Sequence, residues 1–194
     1  MSSNEPSFLT VVTGLPRSGT SMMMKMLAAG GMEVLADNIR KADDDNPGGY
    51  YEFEPVKKTK EDASWLADAH GKAVKMIYML LADLPDSHQY RVIFMQREYS
   101  EVLASQEVML ERRGTKGAGL APEKMADIFD RQLQATRDRL AAQPNFETLY
   151  VDYAQAIEDP LTVASQIHDF LGREMDTTAM AAVVDPDLYR QRGS

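Results

Sequence analysis

The chain has 194 residues, of which 44% are hydrophobic and 26% charged, and its formal net charge is −9. This composition is typical of soluble globular proteins, and the length predicts a single domain spanning residues 1–194. An acidic chain lacks the broad basic surface of a general nucleic-acid or anionic-membrane binder, so any anionic ligand is expected to meet a local cluster of positive groups.

Other features of the composition concern the compartment. Because the sequence contains no cysteine, disulfides and thiolate metal sites are excluded. The first residues, MSSNEPSFLT, show no basic region followed by an apolar core, so no signal peptide is expected. The longest apolar run, residues 76–82, is much shorter than the roughly 20 residues that cross a bilayer. These features favour a cytoplasmic protein.

Along the chain, patterns typical of strands alternate with patterns typical of helices. The predicted strands cover residues 8–13, 72–80, 90–96 and 147–153. The predicted helices cover residues 20–29, 54–69, 100–112, 122–142 and 161–171. Residues 36–51 are polar and rich in turn formers, which predicts a long loop of the kind that often serves as a lid. The alternation predicts an α/β fold with three layers, in which helices flank a mainly parallel central sheet.

The stretch GLPRSGTS, between the first predicted strand and helix, predicts an anion-binding loop. The first N–H groups of a helix lack internal partners and carry the positive end of its dipole. Gly14 and Gly19 have the spacing of a nucleotide-hydrolase phosphate loop, but Thr20 replaces its lysine and Arg17 lies inside the loop instead. Hydroxyl groups add further donors: Ser18, Thr20 and Ser21.

Two motifs together resemble the PAPS-dependent sulfotransferases, especially their small bacterial members. That family's phosphosulfate loop follows the pattern Pro-[Lys/Arg]-Ser-Gly-Thr-[Ser/Thr], met here by Pro16, Arg17, Ser18, Gly19, Thr20 and Ser21. The family binds the 3′-phosphate with a strand-end arginine and a serine eight residues later, matched by Arg97 and Ser105. The resemblance covers about residues 9–172. It implies a P-loop-like, sulfotransferase-type fold that uses 3′-phosphoadenosine 5′-phosphosulfate (PAPS) as sulfuryl donor and needs no metal.

The resemblance also implies direct transfer of the sulfuryl group to an acceptor hydroxyl or amine. Arg17 is then expected to stabilise the negative charge that develops on the bridging oxygen, because its guanidinium stays protonated. Lys75 aligns with a lysine that many members carry on the strand before the 3′-phosphate strand, which makes it the second catalytic candidate. The alternative for Lys75 is a strand-end lysine that reaches solvent, and Lys25 is more simply explained as part of a solvated helix face.

The general base is where this sequence departs from much of the family. Cytosolic members place a histidine two residues after the strand lysine, where this chain has Ile77. A carboxylate among aromatic residues can have a raised pKa, which suits a general base, so Glu52 is the leading candidate. A plain acidic loop is the alternative. The remaining candidates rank lower: Glu54, Glu33, His70 and His88. His168 is expected in a helix, as a structural or solvent-exposed residue.

Alternatives also remain open at the 3′-phosphate motif. Arg97 pairs with Glu98 or Glu101 in the simpler interpretation, and Ser105 then only packs within its helix. By resemblance, Arg190 and Arg192 near the chain's end close over the 3′-phosphate, and residues 112–117 are a second candidate clamp.

The functional alternatives are a P-loop small-molecule kinase, disfavoured by the missing lysine, and a non-catalytic nucleotide-binding protein. Residues 36–51 and 113–122 are expected to shape the acceptor pocket. A small-molecule acceptor is favoured, with neither nucleic acid nor membrane as partner. The sequence specifies neither a particular acceptor nor an oligomeric state.

Overall fold

The computed structural model describes residues 8–37, 39, 43, 49–112, 114–115 and 119–189. Within these residues, five strands form one sheet in the order β2-β3-β1-β4-β5, and every neighbouring pair is parallel. The strands are β1 (Phe8–Gly14), β2 (Val34–Leu35), β3 (Ala73–Lys75), β4 (Gln89–Gln96) and β5 (Phe146–Asp152). The predicted α/β fold with a parallel central sheet is confirmed.

Helices cover both faces of this sheet. In the described ranges they are α1 (Thr20–Ala29), α2 (Tyr99–Arg112), α3 (Pro122–Ala142), α4 (Tyr153–Glu158), α5 (Pro160–Leu171) and α6 (Thr177–Ala182). Successive strand residues point to opposite faces. Val92 and Phe94 of β4 therefore join the core beneath α2 and α3, whereas Ile93 and Met95 join the core beneath α1, α4, α5 and α6. The result is the predicted three-layer arrangement. Among the described helices, none is long and apolar enough to cross a bilayer.

The prediction of one helix over residues 54–69 is wrong, because two short 3₁₀ helices, Glu54–Lys58 and Ser64–Asp68, occupy this stretch. The Thr59 hydroxyl donates to the carbonyl of Val56 at 2.8 Å, and the Asp62 carboxylate accepts from the backbone N–H of Ser64 at 2.9 Å. Such local side-chain bonds compete with the helical hydrogen-bond pattern and explain the break.

The strand predicted over residues 72–80 is also shorter than expected. Only Ala73–Lys75 pair in the sheet, and a 3₁₀ helix, Tyr78–Asp83, follows. Val74, Met76 and Tyr78 are all buried in the same core, so an apolar run of this kind does not distinguish a strand from a tight helix. Lys75 consequently lies at the carboxyl end of β3 and not near its middle.

The carboxyl ends of the central strands meet along one edge of the sheet. Val12 of β1 is in register with Lys75 of β3, and Gly14 is in register with Met95 of β4. The loop that follows β1, the end of β3 and the start of the segment after β4 are therefore neighbours. Open α/β sheets bind ligands outside this edge.

Candidate functional site

The loop between β1 and α1 begins with a tight turn at Gly14. The Ser18 side chain folds back into this turn, since its backbone N–H and its hydroxyl both donate to the carbonyl of Leu15, at 3.2 and 2.7 Å. A Cβ atom on Gly14 would lie 2.5 Å from Ser18 Oγ and 2.7 Å from the carbonyl oxygen of Met95. Glycine is therefore required here, and the buried Ser18 hydroxyl shapes the loop.

Gly19 ends the loop and is the N-cap of α1. Its φ of 93° lies in the left-handed region, and a Cβ atom there would lie 2.4 Å from Cδ2 of Tyr153. The first helical hydrogen bond runs from the Met23 N–H to the Gly19 carbonyl at 3.0 Å. Glycine has no side chain to accept from the N–H groups before Met23, and the first turn carries no acidic side chain. The positive end of α1 is thus suited to an anion. Thr20 and Ser21, both half-buried, form the start of this turn, and the exposed Pro16 precedes it.

Arg17 joins the loop to the second predicted motif. Its Nε donates to Ser105 Oγ on α2 at 2.9 Å, and its carbonyl accepts from Nη1 of Arg97, also at 2.9 Å. The φ of Arg17 is 72°, an uncommon value for a residue with a side chain, so contacts of this kind must hold it in place. Ser105 itself is only 3% exposed. Hydrogen bonds between residues 80 and 88 positions apart therefore interlock the two motifs.

Arg97, which lies between β4 and α2, also pairs with a side chain of α2, as the simpler interpretation expected. Its Nε donates to Oε2 of Glu101 at 2.9 Å, and both side chains are almost fully buried, at 7% and 6% exposed. Glu98, the other partner considered, is exposed. The guanidinium thus binds a carboxylate with one edge and reaches the Arg17 carbonyl with another, so the two interpretations of Arg97 are compatible.

Two tyrosines also lie close to Arg97. The guanidinium carbon lies 4.5 Å from the ring centroid of Tyr153 and 5.3 Å from that of Tyr189. The Tyr189 hydroxyl donates to Oε1 of Glu101 at 2.7 Å. Burial, reinforced by this hydrogen bond, raises the pKa of Tyr189 to about 12, and burial also raises the pKa of Tyr153. Both phenols are therefore neutral at physiological pH.

Lys75 approaches the loop from the end of β3. Its Nζ donates to the backbone carbonyl of Tyr50 and lies 5.9 Å from the centroid of the Tyr50 ring. The Ser21 hydroxyl donates to the same carbonyl at 3.5 Å. Because the Tyr50 carbonyl accepts from both Lys75 and Ser21, it holds the ammonium group near the first turn of α1. The next residue, Tyr51, has an uncommon φ of 50°.

Glu52 lies in the segment that follows Tyr50, and its backbone is tied to Asp37. The Asp37 N–H donates to the Glu52 carbonyl at 3.0 Å, while the Asp37 carboxylate accepts from the N–H groups of Glu54 and Ile39 at 2.6 and 3.0 Å. These two backbone hydrogen bonds, with that from Glu54 the stronger cause, lower the pKa of Asp37. Glu52 itself is half-buried, and its role as general base stays a prediction.

The lower-ranked carboxylates lie in ion pairs. Glu54 is exposed and pairs with Lys57, which raises the pKa of Lys57, and the charge of Glu52 adds to this effect. Glu33 pairs with Lys72 at 2.7 Å, beside the amino end of β3. Glu33 therefore lies at the edge of the sheet opposite the loop.

The histidines lie away from the loop or on a helix. The rings of His70 and His88 pack edge to face at 5.3 Å, where the chain enters β4 beside the start of β1. His168 is half-buried on α5 and Lys25 is half-buried on α1. The candidate clamp residues Arg190 and Arg192 lie outside the described residues, as do residues 113 and 116–117 of the second clamp. Within the described residues, no group of three or more His, Asp or Glu side chains is arranged to hold a metal ion.

Sequence reasoning missed the tyrosines of the site. Arg97 and Glu101 are four residues apart where a helix begins, and this spacing does indicate that their side chains can pair. Tyr153 and Tyr189 belong to no local motif, and they reach Arg97 only because α4 and the C-terminal turn pack beside the loop. A distant contact of this kind leaves no pattern in a single sequence.

Comparison with known proteins identifies the fold. No protein-family model matches the sequence, and no curated protein matches it significantly. Among solved structures, the sulfotransferase domain of the Synechococcus PCC 7002 olefin synthase is similar over 100% of this chain and 83% of that domain, with 17% identity and a TM-score of 0.54. The chain has the sulfotransferase fold.

Two further sulfotransferases have the same fold. STF1 from Mycobacterium tuberculosis H37Rv is 16% identical with a TM-score of 0.57, over 92% of this chain and 71% of that one. Mouse SULT7A1, whose structure contains PAP, is 13% identical with a TM-score of 0.53, over 92% of this chain and 63% of that one. The fold expected from the motifs is thus confirmed, and the function is inferred from the site.

Proposed function

We propose that this protein is an enzyme that transfers a sulfuryl group from PAPS to a hydroxyl or amine of a small acceptor. The observation that carries the proposal is the interlocking of the two predicted motifs: Arg97 donates to the Arg17 carbonyl, and Arg17 donates to Ser105. A loop suited to an anion and a strand-end arginine therefore form one site. The sulfotransferase fold of the chain supports the same conclusion.

The loop fits the 5′-phosphosulfate end of such a donor. The N-terminus of α1 supplies N–H groups and a positive dipole, and Thr20 and Ser21 supply hydroxyl groups at its first turn. The turn at Gly14 and Gly19 is crowded on its inner side, so its backbone is held in one conformation. We assign Pro16, Ser18 and the two glycines to shaping the loop, and Thr20 and Ser21 to holding the ligand.

The second motif fits the 3′-phosphate end. Arg97 and Ser105 follow β4 at the same edge of the sheet, and a buried guanidinium is the side chain best suited to phosphate recognition. In a chain with a net charge of −9, three cations gathered at one loop, against the buried carboxylate of Glu101, create a local positive field. Arg17, Arg97 and Lys75 provide it. Arg192 would add a fourth.

Arg17 is proposed to stabilise charge at the reacting centre. The donor supplies an activated sulfuryl group. As the bond from sulfur to the bridging oxygen breaks, negative charge grows on that oxygen, which leaves as part of adenosine 3′,5′-bisphosphate. Because Nε of Arg17 is held by Ser105, the guanidinium is oriented before the reaction and needs little reorganisation. Lys75, held against the Tyr50 carbonyl beside Ser21, adds a second positive charge.

Glu52 is proposed to take the acceptor's proton. It lies two residues after Tyr50, whose carbonyl contacts both Lys75 and Ser21, so the segment that carries Glu52 is attached to the loop. Residues 36–51 and 113–122 are proposed to line the acceptor pocket. The acidic composition favours a small molecule over nucleic acid or membrane, and a cytoplasmic location accords with the sequence.

Calorimetric titration with adenosine 3′,5′-bisphosphate, beside ATP with Mg²⁺, tests the proposal. We expect tight binding of the bisphosphate without metal, weakened about 10- to 100-fold in Arg97→Ala, because a charge-assisted hydrogen bond is lost. Arg131→Ala is the matched control, since Arg131 lies on α3 and bonds only to its own helix at Asp127 among the contacts described. Ser105→Ala provides a second, milder variant in case Glu101 without its partner impairs folding. Binding of ATP–Mg²⁺ alone would indicate a kinase, and binding of neither would contradict the proposal.

A further inference from the structure

We propose that Glu101 and Tyr189 are positioning residues that hold Arg97 in the orientation required for binding the donor's 3′-phosphate. Neither residue belongs to the two motifs, and the inference rests on the function proposed above. Together with Tyr153, they form what we call the arginine brace: Glu101, Tyr153 and Tyr189 around the guanidinium of Arg97.

The first part of the brace acts in the plane of the guanidinium. Nε of Arg97 donates to Oε2 of Glu101, and Nη1 donates to the carbonyl of Arg17, both at 2.9 Å. The N–H groups of a planar guanidinium point in fixed directions, so two such bonds determine how it is rotated in its plane. Glu101 and the loop backbone thereby set the direction in which Arg97 presents its other donors.

The second part of the brace consists of two aromatic rings close to the guanidinium. The rings of Tyr153 and Tyr189 lie 4.5 and 5.3 Å from its central carbon, and the two rings pack edge to face at 5.1 Å. Aromatic rings attract a cation at such distances. Because Tyr153 also packs against Gly19, the loop and Arg97 rest on the same ring.

Tyr189 additionally fixes the carboxylate that holds Arg97. Its hydroxyl donates to Oε1 of Glu101 at 2.7 Å, while Arg97 binds Oε2, so each carboxylate oxygen has a partner in the brace. Glu101 and Arg97 are almost fully buried, and hydrogen bonds in such surroundings are stronger than in water. The hydroxyl of Tyr189 is therefore expected to affect the affinity for the 3′-phosphate indirectly, through Glu101 and Arg97.

The C-terminal turn delivers Tyr189 to this position. A 3₁₀ helix, Pro186–Leu188, begins with the Asp185 carboxylate accepting from the Asp187 N–H at 3.0 Å, and the Tyr189 N–H bonds to the Pro186 carbonyl at 3.1 Å. Docking of this turn and binding of the nucleotide would thus both stabilise the same orientation of Arg97. Two events that stabilise one arrangement of a side chain favour each other.

The hydroxyl of Tyr189 is tested with two nucleotides that differ only in the 3′-phosphate. Calorimetry would measure the affinities of the wild type and Tyr189→Phe for adenosine 3′,5′-bisphosphate and adenosine 5′-monophosphate. We expect the variant to bind the bisphosphate about three- to tenfold more weakly, the effect of one hydrogen bond, and the monophosphate within about twofold of wild type. The ratio of the two affinities then falls. A merely structural role would lower both affinities alike and leave the ratio unchanged.

Tyr99→Phe is the matched control, because it also removes a tyrosine–carboxylate hydrogen bond, from Tyr99 to Asp130 at 3.2 Å, on the α2–α3 side. Glu101→Gln should lower the ratio further, since a charged partner of Arg97 is lost; if it fails to fold, Tyr189→Phe decides alone. An unchanged or increased ratio in Tyr189→Phe overturns the positioning role while leaving the proposed function intact. Failure of the wild type to bind the bisphosphate overturns both.

Discussion

The two sides of the candidate site are built by different kinds of contact. The loop side comprises residues 14–21 with Arg97 and Ser105, and it is held by bonds between side chains or from a side chain to the loop backbone. The segment side comprises Asp37 and residues 50–54 with Lys75. The contacts that join its parts end on main-chain carbonyls and N–H groups, at Tyr50, Glu52 and Glu54. The side chains of Tyr50 and Glu54 bond in addition to Asp43 and Lys57.

This difference separates what the fold specifies from what it leaves variable. Every residue provides a backbone carbonyl, so the contacts made through the carbonyls of Tyr50 and Glu52 do not depend on which side chains those residues carry. The loop side instead depends on particular groups, namely two guanidiniums, one serine hydroxyl and crowded glycines. Under the proposed function, the loop side would bind PAPS, a donor that does not vary. The segment side would face the acceptor, whose identity can change.

The largest expected difference between the sides is catalytic. Arg17→Ala should slow the release of sulfate from PAPS to water by about 10²- to 10³-fold, the usual effect of losing a donor to developing charge. Lys75→Met should slow it by only about tenfold, because its ammonium is shared with the carbonyl of Tyr50. Sulfate release is measured without an acceptor, so the result does not depend on knowing the acceptor substrate.

Lys72→Met is the control for the lysine variant. Lys72 immediately precedes the same strand, β3, and pairs with Glu33 at the opposite edge of the sheet, so its loss should leave sulfate release within about twofold of wild type. Equal effects of Arg17→Ala and Lys75→Met would show that the two sides do not differ in the way described.

A second difference concerns stability at two glycines with nearly equal φ. Gly19, on the loop side, has φ 93° and Gly49, beside the segment side, has φ 88°. An added Cβ would lie 2.4 Å from the Tyr153 ring at Gly19, whereas at Gly49 it would meet nothing within 4 Å. Gly19→Ala should cost about 2–5 kcal/mol, from left-handed strain plus overpacking, and Gly49→Ala about 1–2 kcal/mol from strain alone. Urea unfolding of both variants measures the difference.

The two alanine variants also serve as controls for each other. Since their backbone strain is nearly the same, the difference between their free energies of unfolding isolates the crowding at Tyr153. Similar costs for both would mean that the Tyr153 ring moves aside easily and does not support the loop. In that case the bisphosphate affinity of Gly19→Ala would also remain close to that of the wild type.

The sequence predicted the parts of the fold that rest on local patterns. The bounds of α1 and α3 are as predicted, and β4 differs by one residue, because long periodic or apolar segments with clear ends leave little choice. Two short helices, α4 and α6, and the two-residue β2 were not predicted. Elements this short are stabilised by what they pack against, which a single sequence does not contain.

The candidate site divides in the same way. Arg17, Arg97 and Ser105 were predicted from the resemblance of two motifs to the sulfotransferases, and the structure brings them into contact. The ties between Asp37 and residues 52–54 and the approach of Tyr189 to Glu101 were not predicted. These depend on backbone atoms or on residues distant in sequence, neither of which produces a recognisable pattern.

The smallest expected effect is a response of the segment side to acid. Backbone hydrogen bonds from Glu54 and Ile39 hold the pKa of Asp37 below 3.8, its value in an unfolded chain. A carboxyl group with a depressed folded pKa stabilises the fold above the unfolded pKa, and this contribution is lost as the pH falls through the folded pKa. The protection of the Glu54 amide against hydrogen exchange, corrected for the intrinsic rate, should therefore decrease below about pH 4.

Two substitutions distinguish this response from general acid unfolding. In Asp37→Asn the amide keeps one uncharged acceptor oxygen in place of the two oxygens that accept from Glu54 and Ile39. Glu54 should therefore exchange faster than in wild type and lose its dependence on the protonation of residue 37. Asp159→Asn is the matched control, because Asp159 accepts from Thr162 at the start of α5 and its pKa is likewise lowered, by Thr162. It should leave exchange at Glu54 unchanged. If the loop side, followed at the Met23 amide, loses protection at the same pH as Glu54, the two sides open together and the contrast between them does not extend to their stability.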